Sequence, residues 1–119
     1  ELAGPNHHED EERNLFPTLI ERAGTEDAAA VRALVADLLA DHVRMAEALD
    51  VVRRQLAPIA EGIAAALEEN SVRRLSGLYR QHIGKENRGL LPLARRLLSQ
   101  ADVDALSRAM TARRSPRPD

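Results

Sequence analysis

Apolar residues fall at helical spacing through most of the chain, and Pro, Gly and capping residues mark the breaks between stretches. The first stretch runs from about Asn6 to Ala23. Pro5 suits its opening turn, where a missing N–H loses no partner, and Gly24 is a natural C-terminal stop. Thr25 reads as the N-cap of a second helix, with Glu26 and Asp27 in its first turn, that reaches about Ala57 before Pro58 halts it. From Ile59 to Asn70 the pattern is ambiguous, with Gly62 and Asn70-Ser71 as candidate boundaries. A third long helix passes Leu75 and His82 to about Leu98. Ser99 or Asp102 caps a short final helix, and the Pro- and Arg-rich residues 114–119 are expected to form a mobile tail.

Two stretches share a register. His7, Glu11, Leu15, Phe16 and Pro17 are spaced as His82, Glu86, Leu90, Leu91 and Pro92 are, although little else matches between them. Each Pro lies inside an expected helix and removes one ladder bond, so kinks are expected at Pro17 and Pro92.

Composition narrows the class. Twenty Ala and seventeen Leu against fourteen β-branched residues favour an all-α domain. The 119 residues suit one domain spanning 1–119. A net charge of -2, one Phe, one Tyr and no Trp argue against a nucleic-acid partner. No run approaches the ~18 consecutive apolar residues of a membrane span. No secretory leader opens the chain, so the expected location is the cytoplasm. With no Cys, any metal must sit on His, Asp or Glu. The chain opens on Glu1, without Met, almost directly before its densest motif, which suggests a missing upstream segment.

The candidate chemistry lies in three places. His7 and Glu11 are four apart and share a helix face, as do His8 and Glu12, and His82 and Glu86. Ideal projection at about 100° per residue puts His8 and Glu12 mid-stripe and His7 and Glu11 at its edge. The shared register favours His7 and Glu11 instead, since a projection carried across Pro17 assumes a straight helix. That choice leaves His8 as a possible additional ligand. Around His42 the apolar stripe contains Val31, Val35, Leu38, Met45, Ala46, Leu49 and Leu56. Around His82 it contains Leu75, Leu78, Tyr79, Leu90, Leu93 and Leu97. A lone core His is more often a hydrogen-bonded core residue, and Glu12 is expected to be solvated. Three helices each sending a His inwards, two of them with a Glu, form a different case. Buried carboxylates are costly unless a cation balances them.

These residues make the chain resemble the hemerythrin-like, or HHE cation-binding, family. "HHEDEERNLFPTL", His42 in "LLADHVRMAEAL" and "YRQHIGKENRGLLPLA" stand in the family's order and spacing, over about residues 6 to 98. The last helix, "LSRAMTARR", is also similar to bacterial members. The resemblance implies an antiparallel up-down four-helix bundle whose first helix is absent from this chain, with a short extra C-terminal helix. It implies a non-heme di-iron centre bridged by carboxylates and an oxo or hydroxo oxygen. His7, His42 and His82 would be terminal ligands, and Glu11 and Glu86 the bridges. The family's ligand His stands ten residues before the Pro of "LFP", which again selects His7.

Two departures stand out. The family carries a further His on a helix before this motif, and Ala46 stands where oxygen carriers have a second His. These weigh against reversible oxygen carriage and leave one iron position weak or empty, with His8 as the substitute ligand. The expected function is non-heme iron binding, with dioxygen or nitric oxide as the small ligand, or iron sensing or storage. The alternatives are a di-iron enzyme of oxidative or nitrosative defence or iron-centre repair, and a metal-free structural helical module. The long stripes exceed what the short first helix covers, so an upstream N-terminal segment or the same surface of a second copy is expected to close the seam, a two-fold homodimer being the default symmetric solution.

Overall fold

The computed structural model describes residues 5–62 and 67–114, and the side chains of residues 7–62 and 67–113. Every regular element among them is helical. In chain order they are α1 (Pro5–Asp10), α2 (Phe16–Arg22), α3 (Ala28–Ala60), α4 (Glu69–Lys85), α5 (Leu91–Leu97) and α6 (Gln100–Arg114). The helix α1 continues into α2, and α4 into α5, through single turns of π type over Glu11–Leu15 and Glu86–Leu90. None of these helices is long and apolar enough to cross a membrane. Residues 114–119, expected as a mobile tail, fall outside the described side chains.

Where kinks are expected, at Pro17 and Pro92, the backbone departs from α geometry through these π turns. In each, the closing bond spans five residues: Phe16 N–H donates to the Glu11 carbonyl and Leu91 N–H to the Glu86 carbonyl. Pro17 and Pro92 follow directly after these bonds, so the repeated register of the two stretches becomes a repeated backbone device. One extra residue per turn sets back everything beyond it by about 100°. Phe16 and Leu19 then fall in line with His7 and Glu11, and Phe16, Leu19 and Glu11 are buried together. An ideal projection across Pro17 fails for this reason.

Two expected boundaries move. Thr25 does not cap α3; residues 25–27 form a turn in which the Asp27 and Ala28 N–H groups both donate to the Gly24 carbonyl. Pro58 lies inside α3, which runs on to Ala60 and ends at Gly62 with φ 75°, a conformation suited to glycine. Ser99 caps α6 reciprocally with Asp102: the Asp102 N–H donates to Ser99 Oγ and the Ser99 N–H to Asp102 Oδ2, both at 3.1 Å.

The apolar core joins α2, the first half of α3 and the Leu90–Leu98 segment, around Phe16, Leu19, Val31, Val35, Leu38 and Leu90. Along α3 the buried positions include Val31, Leu38, Met45 and Val52, seven residues apart, with Asp41 and Ala48 beside them. Such spacing makes a straight seam of the kind used between paired helices. It explains why Ala48 and Val52 are buried while Ala46 and Leu56, expected in the stripe, are exposed. Pairings between α3 and α4–α5 run Gln55–Ser71, Asp41–Lys85 and Asp27–Arg96.

Candidate metal centre

Directly beside the apolar core lies a cluster of buried charge. His82 is fully buried, and His42, Glu11, Glu86 and Asp41 are each less than a tenth exposed. The helix α1 supplies His7 and His8, and Glu11 opens the first π turn; α3 supplies His42; α4 supplies His82, and Glu86 opens the second π turn. All five residues named from the sequence, His7, Glu11, His42, His82 and Glu86, meet here.

Their atoms form two groups. The ring nitrogens of His8, His42 and His82 lie within metal-binding reach of one another, and so do donor atoms of His7, Glu11 and Glu86. Two carboxylates connect the groups. Glu11 places Oε2 3.2 Å from His7 Nε2, and Oε1 3.0 Å from His42 Nε2 and 3.9 Å from His82 Nε2. Glu86 Oε2 stands 3.5 Å from His7 Nε2 and 3.6 Å from His82 Nε2. The choice between adjacent pairs thus resolves unevenly. Glu11 is buried and Glu12 exposed, yet both His7 and His8 belong to the cluster, one in each group.

The rings are held from behind. His42 Nδ1 lies 2.6 Å from Glu12 Oε2, and His82 Nδ1 lies 3.2 Å from Asp41 Oδ2. Lys85 donates to both Asp41 oxygens at 3.0 and 2.9 Å, and Arg44 donates to Oδ1 at 2.5 Å. A carboxylate on Nδ1 fixes the ring and turns Nε2 towards the site. His8 stacks on His42, with ring centres 3.9 Å apart and planes 10° from parallel. Phe16 stacks behind His42 at 6.0 Å.

Asp41 escaped the sequence reading, and Glu12 was expected in solvent. Asp41 stands seven residues before buried Ala48, so the heptad seam was the signal that could have placed it indoors. Glu12 is exposed at 43% of its side chain and still reaches His42, which no periodicity reveals.

The electrostatics follow from this crowding. Hydrogen bonds to Glu11 and then Glu86 raise His7 to about 9. Burial would lower His82, but Glu11, Glu86 and Asp41 outweigh it and raise the ring to about 10. Burial would likewise raise Glu11, but the His42, His7 and His82 imidazoles hold it well below the usual carboxylate range. His8 goes the other way: burial, then the charges of His42 and His82, push it down to about 4. His8 is therefore neutral near pH 7, and its Nε2 is buried with no hydrogen-bond partner among the described residues.

These donors fit a metal. An orphaned buried imidazole nitrogen costs free energy unless something binds it. His42 Nε2 and His82 Nε2 face each other at 3.3 Å, which leaves room for at most one N–H between them. Glu11 Oε1 is buried and, although 3.0 Å from His42 Nε2, has no well-aligned hydrogen bond among the described residues. A cation would satisfy all of these atoms together.

Helices that converge imidazoles and carboxylates on one buried point are the arrangement with which helical bundles can hold a cation. The family model of the Hemerythrin HHE cation binding domain matches residues 2–94, and the chain belongs to that family. No match is found among curated proteins or solved structures.

Proposed function

We propose that the protein binds non-heme iron as a dinuclear centre, with dioxygen or nitric oxide as its small ligand. The observation that carries this reading is the pair of three-residue donor groups, His8–His42–His82 and His7–Glu11–Glu86, with Glu11 and Glu86 in contact with both. The five residues His7, Glu11, His42, His82 and Glu86 are the proposed ligand set, with His8 added. Imidazole and carboxylate donors suit iron, and a position left open by the protein is where a diatomic gas would bind. Within this reading the chain's own residues have defined work. Asp41 and Glu12 orient the rings of His82 and His42, Glu11 and Glu86 join the two halves, and buried Phe16 helps to keep water from one side. The reversed order of the α3 to α4–α5 pairings supports an antiparallel bundle for the fold.

One observation favours a second reading, a di-iron enzyme of oxidative or nitrosative defence. A cavity of about 480 Å³ opens beside His8 and His42, lined also by Tyr79, Arg13 and Arg53. Such a space could admit a small substrate. Iron content by elemental analysis after anaerobic loading tests the first reading; a chain that holds no iron overturns both and leaves a structural module. Turnover of hydrogen peroxide or nitric oxide by the loaded protein favours the enzyme, and stoichiometric binding alone favours the carrier or sensor.

A further inference from the structure

The family match ends at residue 94, and α6 lies wholly beyond it. Even so, α6 is tied at both ends to the segment that carries the first donors. Near its start, Asp102 accepts two hydrogen bonds at 3.2 Å from Arg22 Nε and one at 3.0 Å from the same guanidinium. Near its end, Arg113 reaches the first π turn. One of its terminal nitrogens donates to Asp10 Oδ1 at 2.6 Å, and the other donates to the Asn14 side-chain oxygen. Its Nε is 4.0 Å from Glu9.

The two anchors differ in what they hold. The Arg22–Asp102 pair joins residues at the far end of α2, with Arg22 exposed. Arg113 instead binds one residue before Glu11 in the sequence and one after it. Asp10 directly precedes Glu11 and is only 2% exposed, while Asn14 lies inside the same π turn. A planar guanidinium with two donors fixes the spacing of the two oxygens it binds, which a point charge cannot do. The turn departs from the regular α-helical ladder, as π turns at functional sites often do, and Arg113 is the side chain that ties it to α6 through Asp10 and Asn14. Without Arg113, Asp10 would lose a buried ionic partner.

We propose that Arg113 is a positioning residue for Glu11. By bracketing the π turn from α6, it holds the Glu11 carboxylate between His7 on one side and His42 and His82 on the other, and so controls retention of iron. The inference rests on the iron-binding reading above.

The test compares Arg113→Gln, Arg113→Lys and Asn14→Ala with Arg22→Gln, all in the full chain loaded with ferrous iron. The readouts are the rate of iron release to a chelator, the absorption spectrum of the loaded protein, and the melting temperature of the metal-free protein. Arg113→Gln is expected to release iron about ten-fold faster or more and to shift the spectrum, as loss of outer support does at metal sites. Arg113→Lys should recover part of that loss. Asn14→Ala keeps the Asp10 ion pair, and therefore the fold, yet should still speed release. Arg22→Gln should leave release and spectrum unchanged whatever it does to melting. Wild-type release from folded Asn14→Ala and Arg113→Lys would overturn the inference. So would release that follows melting temperature equally in the Arg22 and Arg113 variants. A wild-type chain that takes up no iron would overturn the iron-binding reading itself, a result distinct from either.

Discussion

At the scale of single residues, adjacent positions have opposite environments, and this is what the cluster uses. Glu11 is buried between three imidazoles, while Glu12 next to it is exposed and holds one ring from behind. His7 is raised to about 9 by its carboxylates, while His8 is lowered to about 4, chiefly by burial. Glu11→Ala is therefore expected to abolish tight iron binding. Glu12→Ala and Asp41→Asn should each weaken affinity about 10–100-fold, as loss of a ring-orienting carboxylate does. Equal losses for Glu11→Ala and Glu12→Ala in elemental analysis would contradict this order. The pH dependence has a fixed sign. His7 and His82 have folded pKa values of about 9 and 10 against an ordinary 6.5. Their protonated forms stabilise the metal-free protein fully below pH 6.5, and that contribution fades as pH rises through 9 and 10. Iron needs neutral rings, so its binding releases protons and its apparent affinity rises with pH over the same window. Calorimetry in buffers of different ionisation enthalpy reads the proton count; no proton release at pH 7 would argue against His7 and His82 as ligands.

At the scale of elements, the two π turns explain what the sequence could and could not show. The shared spacing of His7, Glu11 and Pro17 with His82, Glu86 and Pro92 was legible, because it depends only on counting residues. The phase of the helix beyond Glu11 was not, because one residue inserted in a turn rotates every later position by about 100°. Helix type and number were readable from Ala and Leu content and from Gly24 and Ser99. The passage of α3 through Pro58 was not, since a proline removes one ladder bond and can sit inside a helix as well as end it. Asp41 was hidden as well: a polar residue on a seam looks like a solvated one until the heptad is recognised. A deletion tests the phase argument. Removing Arg13, which is exposed and lies within the first π turn, returns that turn to α spacing and leaves Phe16 and Leu19 in their present phase. The deleted chain should melt cooperatively with unchanged helix content. Deleting Glu21, beyond the core residues of α2, gives the comparison for loss of one residue elsewhere in the helix. Loss of cooperative melting with the Arg13 deletion alone would contradict the account.

At the scale of the whole molecule, the chain is flatter than its length requires. The Cα radius of gyration is 17.4 Å, with extents of 55 × 41 × 16 Å. A compact chain of this length would have a radius near 13–14 Å, roughly, by the usual scaling. One thin dimension means that helices lie side by side with apolar positions left on the faces, among them Val43 at 58% and Leu91 at 42% exposure. The 119-residue chain alone is therefore expected to sediment as a two-fold dimer, and a stable monomer across micromolar concentrations would contradict this. Leu38, fully buried where α3 meets the core, should cost about 2–5 kcal/mol when cut to Ala, read by denaturant unfolding. The two donor groups and the carboxylates that join them are tested by the number of iron ions per chain after anaerobic loading and desalting, measured for the wild type and for Glu11→Ala. More than one and up to about two ions are expected per wild-type chain, as in dinuclear carboxylate-bridged helical sites, and well under one for the variant. Equal loading of the two proteins, or none in the wild type, would contradict this expectation.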